Sequence, residues 1–184
     1  MPITKGAMAQ IRFLALDYRA LSGRKRGRML YLWMTRASVG VALYRFERSM
    51  FLLVGRIWPV ARILLFPIIQ PLYAYANVDI NYRADIGPGI VILHPAVGIV
   101  ISGHAVIGSN LILTGGNVVG GRPGVGSSAF VIGDNCNLGA NAEVLGPLVL
   151  GNNVTIGASA MVNKSFGSDC TLVGVPAVAS KRCG

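Results

Sequence analysis

The chain has 184 residues, 53% hydrophobic and 13% charged, with a formal net charge of +10. This length suits one ordinary domain plus an appendage, and the composition excludes a disordered tail. Residues 1 to 75 carry twelve Lys/Arg against two Asp/Glu, while residues 76 to 184 carry five against five, so the basic excess belongs wholly to the first 75 residues.

That first unit, residues 1–75, reads as an apolar, basic, helical segment. Asp17 and several arginines break up its early apolar runs, so no signal peptide is expected. The stretch "SMFLLVGRIWPVARILLFPIIQPLYAYANV" is the place to seek a membrane span. Arg56 and Arg62 interrupt it, and its longest uncharged run, 63 to 78, has 16 residues and two prolines. That is short of the ~20 needed to cross a bilayer. A projection at ~100° per residue gathers Arg45, Arg48, Arg56 and Arg62 into an arc of roughly 120°. Such a face belongs to a basic amphipathic helix lying in a membrane interface. The alternative is a helix packed on its own trimer or on another subunit, with its arginines solvated. The segment is too apolar for a phosphate-binding arm and has no reading motif, so no nucleic acid partner is expected.

From residue 79 the pattern changes. Aliphatic residues recur every six positions at Ile80, Ile86 and Ile92, then Ile101, Ile107, Leu113 and Val119, then Ile132, Leu138, Val144, Leu150, Ile156 and Val162. Many are followed by glycine. A helix period of 3.6 cannot produce this, and a plain strand alternates at two without a sixfold punctuation. A short fixed repeat means a solenoid. Each unit is a short strand and a corner, with the aliphatic residue inward and glycine permitting a tight backbone. Three units make a triangular coil of ~18 residues, and stacked coils bury a continuous aliphatic column. The fold expected is mainly β, a left-handed parallel β-helix over residues 76–165, with a C-terminal tail over 166–184.

Two register breaks mark candidate site loops. The step from Ile92 to Ile101 is nine, adding three residues just after His94, and the step from Val119 to Ile132 is thirteen, expelling a loop within "GGRPGVGSSAFV". Beside the first break, "DINYRADIGPGIVILHP" spaces Asp79 and His94 fifteen residues apart. An imidazole oriented by a carboxylate is the pairing a general base requires. Asp85 is a rival carboxylate at the equivalent place of the next unit, and His104 reads as a surface residue. Cys136, Cys170 and Cys183 fit neither a CxxC pattern nor a disulfide framework and are expected as reduced thiols. The histidines and carboxylates show no metal-ligand spacing, so no metal is expected.

Taken in order, "DINYRADIGPGIVILHP", "VVGG" before the protruding loop, "LGANAEVLG" with "IGASAMV", and "GVPA" at 174 to 177 resemble the serine acetyltransferase branch of hexapeptide acyltransferases, which includes relatives that acetylate surface polysaccharides. The resemblance covers about residues 77 to 182. It implies acetyl-CoA-dependent transfer to a hydroxyl, with His94 as general base and Asp79 as its orienting partner. It implies a homotrimer with sites between subunits. Gly121, Ala140 and Ala158 would face the pantetheine arm, and Lys181 and Arg182 would meet the CoA phosphates. Arg122 and Ser128 are candidates on the acceptor side. The family's Arg–His pair for serine falls on Ser128 and Ala129, which puts serine in doubt as the acceptor against a saccharide. The long helical N-terminal domain of serine-specific members is replaced by the shorter basic segment. A cytoplasmic enzyme is expected, peripheral at the inner face of the cytoplasmic membrane if residues 1–75 bind lipid. The alternative of another class is a non-enzymatic, membrane-associated scaffold.

Overall fold

The computed structural model describes residues 6–23, 29–121 and 130–181. Four α-helices come first: α1 (Ala7–Ser22), α2 (Met29–Leu32), α3 (Arg36–Val54) and α4 (Trp58–Ala76). Thr35 caps α3 by accepting from Ser38 N at 3.4 Å, Pro59 lies in the first turn of α4, and Asn77 ends α4 in the left-handed region at φ 53°. These are the expected chemistries for helix starts and stops.

Fifteen short strands follow. The first coil holds β1 (Val78–Ile80), β2 (Asp85–Ile86) and β3 (Val91–Ile92), and the second holds β4 (Ile99–Ile101), β5 (Ala105–Ile107) and β6 (Ile112–Leu113). The third holds β7 (Asn117–Gly121), β8 (Phe130–Ile132) and β9 (Asn137–Leu138), and the fourth β10 (Glu143–Gly146), β11 (Val149–Leu150) and β12 (Thr155–Ile156). A last coil carries β13 (Met161–Val162) and β14 (Thr171–Val173), with β15 (Val178–Lys181) turning back antiparallel on β14. As far as β13 every third strand pairs in parallel, and β14 then pairs in parallel with β12, giving three sheets in the orders β1-β4-β7-β10-β13, β11-β8-β5-β2 and β15-β14-β12-β9-β6-β3. This is a parallel β-helix of hexapeptide repeats, as the sixfold pattern requires. All thirteen repeat aliphatics, from Ile80 to Val162, are at most 2% exposed. Burying each such side chain contributes about 1.5–3 kcal/mol.

Two kinds of residue make the corners. Gly87, Gly108, Gly133 and Gly151 do not have positive φ; a Cβ there would lie within 2.9 Å of the backbone of the next coil. Their role is close coil-to-coil approach. The left-handed turns fall instead to Asn110, Asn135, Asn153 and Asp169, with φ between 56° and 60°. Their side chains form a ladder, Asn110 donating to Asn135 at 2.9 Å, Asn135 to Asn153 at 3.1 Å and Asn153 to Asp169 at 2.8 Å.

The helices close the first coil, whose outer edge has no coil beneath it. Backbone groups there need partners, and side chains supply them. Arg45 donates to the carbonyls of Ile86 at 2.8 Å and Gly87 at 2.7 Å, and to Asp17 and Gln10. Asp17 accepts from the amides of Gly89 at 2.7 Å and Ile90 at 3.0 Å. Tyr44 donates to Ala84 O at 3.0 Å, and Arg48 donates to Arg83 O at 3.1 Å and pairs with Asp85 at 3.4 Å. Burial pushes the Tyr44 hydroxyl up to about 12, so it remains a donor.

This corrects the expectation for the arginine arc. Arg45 and Arg48 are buried, and the partly exposed Arg62 pairs with fully buried Glu47 at 2.7 Å, so the four arginines do not form one free basic face. Only Arg56 is exposed. The cap's apolar residues point outward in their place: Ile57, Val60, Ile63, Leu64, Phe66 and Ile68 are each more than half exposed.

Candidate active site

Asp79 lies in the middle of β1 and faces outward. His94 follows β3 on the same coil and opens the one-turn helix of Pro95–Val97, which holds the three residues added at the first register break. Both side chains are exposed. Among the described residues no hydrogen bond joins the His94 ring to Asp79. Asp85, the rival carboxylate, is buried against Arg48, which leaves Asp79 as the exposed acid of the first coil. His104 is exposed in the turn between β4 and β5.

The strand register gives His94 a second set of neighbours. Ile92 pairs with Leu113, Leu113 with Leu138, and Leu138 with Ile156. Two residues further on, the same corner stacks His94, Gly115, Ala140 and Ala158. The ladder continues there, with His94 N donating to Thr114 O, Asn141 N to Gly115 O and Ser159 N to Ala140 O at 2.8–2.9 Å. Gly115 has φ +140°, and a Cβ on it would run into His94 O. Only glycine supports the histidine in this position. Asn117, itself buried, accepts from Gly115 N at 2.9 Å and donates to Gly139 O at 2.7 Å, fixing that support. A corner column of small residues therefore runs from His94 along the coils, buried at Gly115, half-buried at Ala140 and exposed at Ala158.

The other predicted positions are placed more sparsely. Gly121 is exposed at the end of β7. Arg122 and Ser128, with Ala129, lie outside the described residues, as do Arg182 and Cys183. Lys181 ends β15, paired in register with Thr171. Cys136 and Cys170 are buried, and burial raises the Cys136 thiol above its ordinary value. Among the described residues no group of three His, Cys, Asp or Glu side chains could hold a metal.

A cleft of about 330 Å³ lies on the β1-β4-β7 face at Asp79. Its far wall is α4, which contributes Arg62, Gln70 and Tyr73. None of these was foreseen from the sequence, because they reach Asp79 only through the α3–α4 hairpin. Tyr73 donates to Glu47 at 2.9 Å, and burial with the Glu47 charge raises its hydroxyl well above the ordinary range. Asn77, which ends α4, donates to Ala96 O at 3.0 Å and so ties that wall to the turn after His94.

Residues 131–164 match the family model described as bacterial transferase hexapeptide (six repeats). No curated protein matches the chain. Among solved structures it is similar to the serine acetyltransferase of Neisseria gonorrhoeae, with a TM-score of 0.78 and 28% identity over 95% of this chain and 66% of that one. Soybean serine acetyltransferase superposes with a TM-score of 0.77 and 28% identity over 94% of this chain and 69% of that one. The Brucella abortus enzyme shares the fold at 23% identity, a TM-score of 0.76, and coverage of 96% of this chain and 71% of that one. The chain thus spans about two thirds of the length of the enzymes it resembles.

Proposed function

We propose that this chain, a hexapeptide-repeat protein of the acyltransferase family, is an O-acetyltransferase that moves acetyl from acetyl-CoA to a hydroxyl acceptor. The observation that carries the reading is the corner where His94 heads a column of small residues, on the same coil as exposed Asp79. In the proposed step His94 takes the acceptor's proton as the acceptor oxygen attacks the thioester carbonyl. The tetrahedral adduct collapses, the C–S bond breaks, and the imidazolium returns its proton to the departing CoA thiolate. Asp79 stabilises that imidazolium and favours the tautomer with a free basic nitrogen. The pantetheine arm lies along Gly121, Ala140 and Ala158, with Lys181 and Arg182 meeting the phosphates.

Serine is what the similar enzymes are named for. A saccharide is the acceptor we favour, because Ser128 and Ala129 occupy the places of the pair that would grip an amino acid's carboxylate. Assembly as a homotrimer, with sites between subunits, completes the proposal. The test is release of free CoA from acetyl-CoA in the presence of serine, simple sugars and nucleotide sugars. Acetylated sugar with wild-type protein supports the reading; no acetyl transfer to any hydroxyl refutes it.

We further propose that the helical cap rests on an anionic membrane surface, the cytoplasmic face of the inner membrane being the expected place. Asp17 and Glu47, the only carboxylates of residues 1–75, are 0% exposed, so the described charges that this segment presents to solvent are cationic, with Arg12, Arg19, Arg36 and Arg56 exposed. They accompany the outward apolar face of α4. By length and composition the helical run Arg36–Ala76 could cross a bilayer, and only 11% of its most apolar window is buried. Arg45, Arg48 and Arg62 nevertheless tie it to the β-helix and its neighbouring helix, which favours lying on the surface over crossing.

A further inference from the structure

We infer that α4 forms the acceptor-selecting wall of the Asp79 cleft, and that Arg62 and Gln70 make it a site for a neutral, polyhydroxylated ring. The inference rests on the acetyltransfer reading only in calling this ligand the acceptor.

Charge carries the argument. Among the described residues Arg62 is the one cation lining the cleft, and its Nε already donates to Glu47 at 2.7 Å. Glu47 is 0% exposed and also accepts from Tyr73, so the Arg62–Glu47 pair adds no net charge to the wall. Across from it stands Asp79. A carboxylate entering the cleft would meet a guanidinium that is already neutralised, together with a facing acid, and would lose its hydration for little return. Free amino acids and sugar acids are therefore disfavoured.

Hydroxyl groups fit better. The Arg62 side chain is 38% exposed, its Cζ lies 5.7 Å from the centroid of the Tyr73 ring, and its fork has donors beyond the one used by Glu47. Gln70 is exposed on the same helix, eight residues along, and offers both a donor and an acceptor. Opposite these lie the aliphatic side chains of Val97, Val100 and Val118. Polar groups on one wall and aliphatic groups on the other suit a ring with hydroxyls at its rim and C–H groups on its faces. The cleft's volume of about 330 Å³ admits a single such ring and part of a second. Asn77 couples this wall to the turn that follows His94.

The test is ligand-detected NMR on the full chain, using a methyl hexoside, a hexuronic acid and L-serine as probes, with acetyl-CoA affinity measured in parallel. Gln70→Ala alters an exposed side chain, and Arg62→Lys keeps a cation beside Glu47, so neither leaves a buried charge unpaired. The expected result is hexoside binding that weakens about three- to tenfold in each variant, the loss of one hydrogen bond, with acetyl-CoA affinity unchanged. Absence of hexoside binding, binding indifferent to both variants, or tighter binding of hexuronate or serine would each overturn the inference. Hexoside binding that responds to α4 while no acetyl is transferred would overturn the acetyltransfer reading instead. Transfer to a hydroxyl acceptor that ignores both variants would overturn only the role of α4.

Discussion

At the scale of single residues, the proposed chemistry rests on an exposed histidine. Because His94 and Asp79 both face solvent, replacing them removes chemistry without opening the core. His94→Gln is expected to lower turnover by at least ~100-fold, the usual contribution of a positioned base, with an unchanged melting curve. Asp79→Asn is expected to act in the same direction but less severely. Steady-state rates beside thermal unfolding of the same preparations check both, and a His94→Gln enzyme working at the wild-type rate removes the assignment. Their place on one coil was legible in the chain, because a fifteen-residue spacing is local in a regular repeat. Arg62, Gln70 and Tyr73 were not legible. Arg62 meets Glu47 across fifteen residues spanning two helices, a separation set by how the hairpin closes and by no helical or hexapeptide period. The preference for Asp79 over Asp85 rested on spacing alone, and burial of Asp85 against Arg48 supplies a physical reason for it.

At the scale of elements, the repeat announced the coils and their three sheets, since an aliphatic residue at every sixth position matches the period of neither a helix nor a flat strand. What it concealed was the work of the basic helices. Twelve Lys/Arg within 75 residues resemble a surface feature when counted by composition. Yet Arg45 and Arg48 act as edge caps, satisfying carbonyls of the first coil that no strand covers. Arg45→Met would leave Asp17 buried without its partner. Breaking a buried pair in this way typically costs about 3–5 kcal/mol, to be read as a shift of the urea unfolding midpoint. A loss no greater than that of a surface arginine would contradict the capping role. The small-residue corner makes a separate prediction. Ala158 is exposed in the turn before β13, so Ala158→Trp is expected to leave stability unchanged while raising the KM for acetyl-CoA about tenfold or more, a change of roughly 1.4 kcal/mol. An unaltered KM would mean that the pantetheine arm takes another path.

At the scale of the whole molecule, the cap joins two surfaces through one helix. One side of α4 walls the Asp79 cleft, and its other exposed residues form an apolar face flanked by arginines. On this arrangement the full chain is expected to co-sediment with vesicles containing anionic lipid, more weakly as salt is added and weakly with zwitterionic vesicles. Leu64→Glu is expected to reduce that binding while leaving the β-helix folded, since Leu64 is 83% exposed. Equal binding by Leu64→Glu and wild-type protein would refute membrane docking through this face, without touching the chemistry proposed at His94.

The central claim is that this β-helix moves acetyl from acetyl-CoA to a hydroxyl through His94. It is tested most directly by mass spectrometry of neutral sugar acceptors incubated with acetyl-CoA and either wild-type or His94→Gln protein, each confirmed as folded and of the same oligomeric state. The expected result is an added acetyl group with the wild type and at least ~100-fold less with the variant. Acetylation at equal rates by the two proteins, or no acetylated acceptor with the wild type, would contradict it.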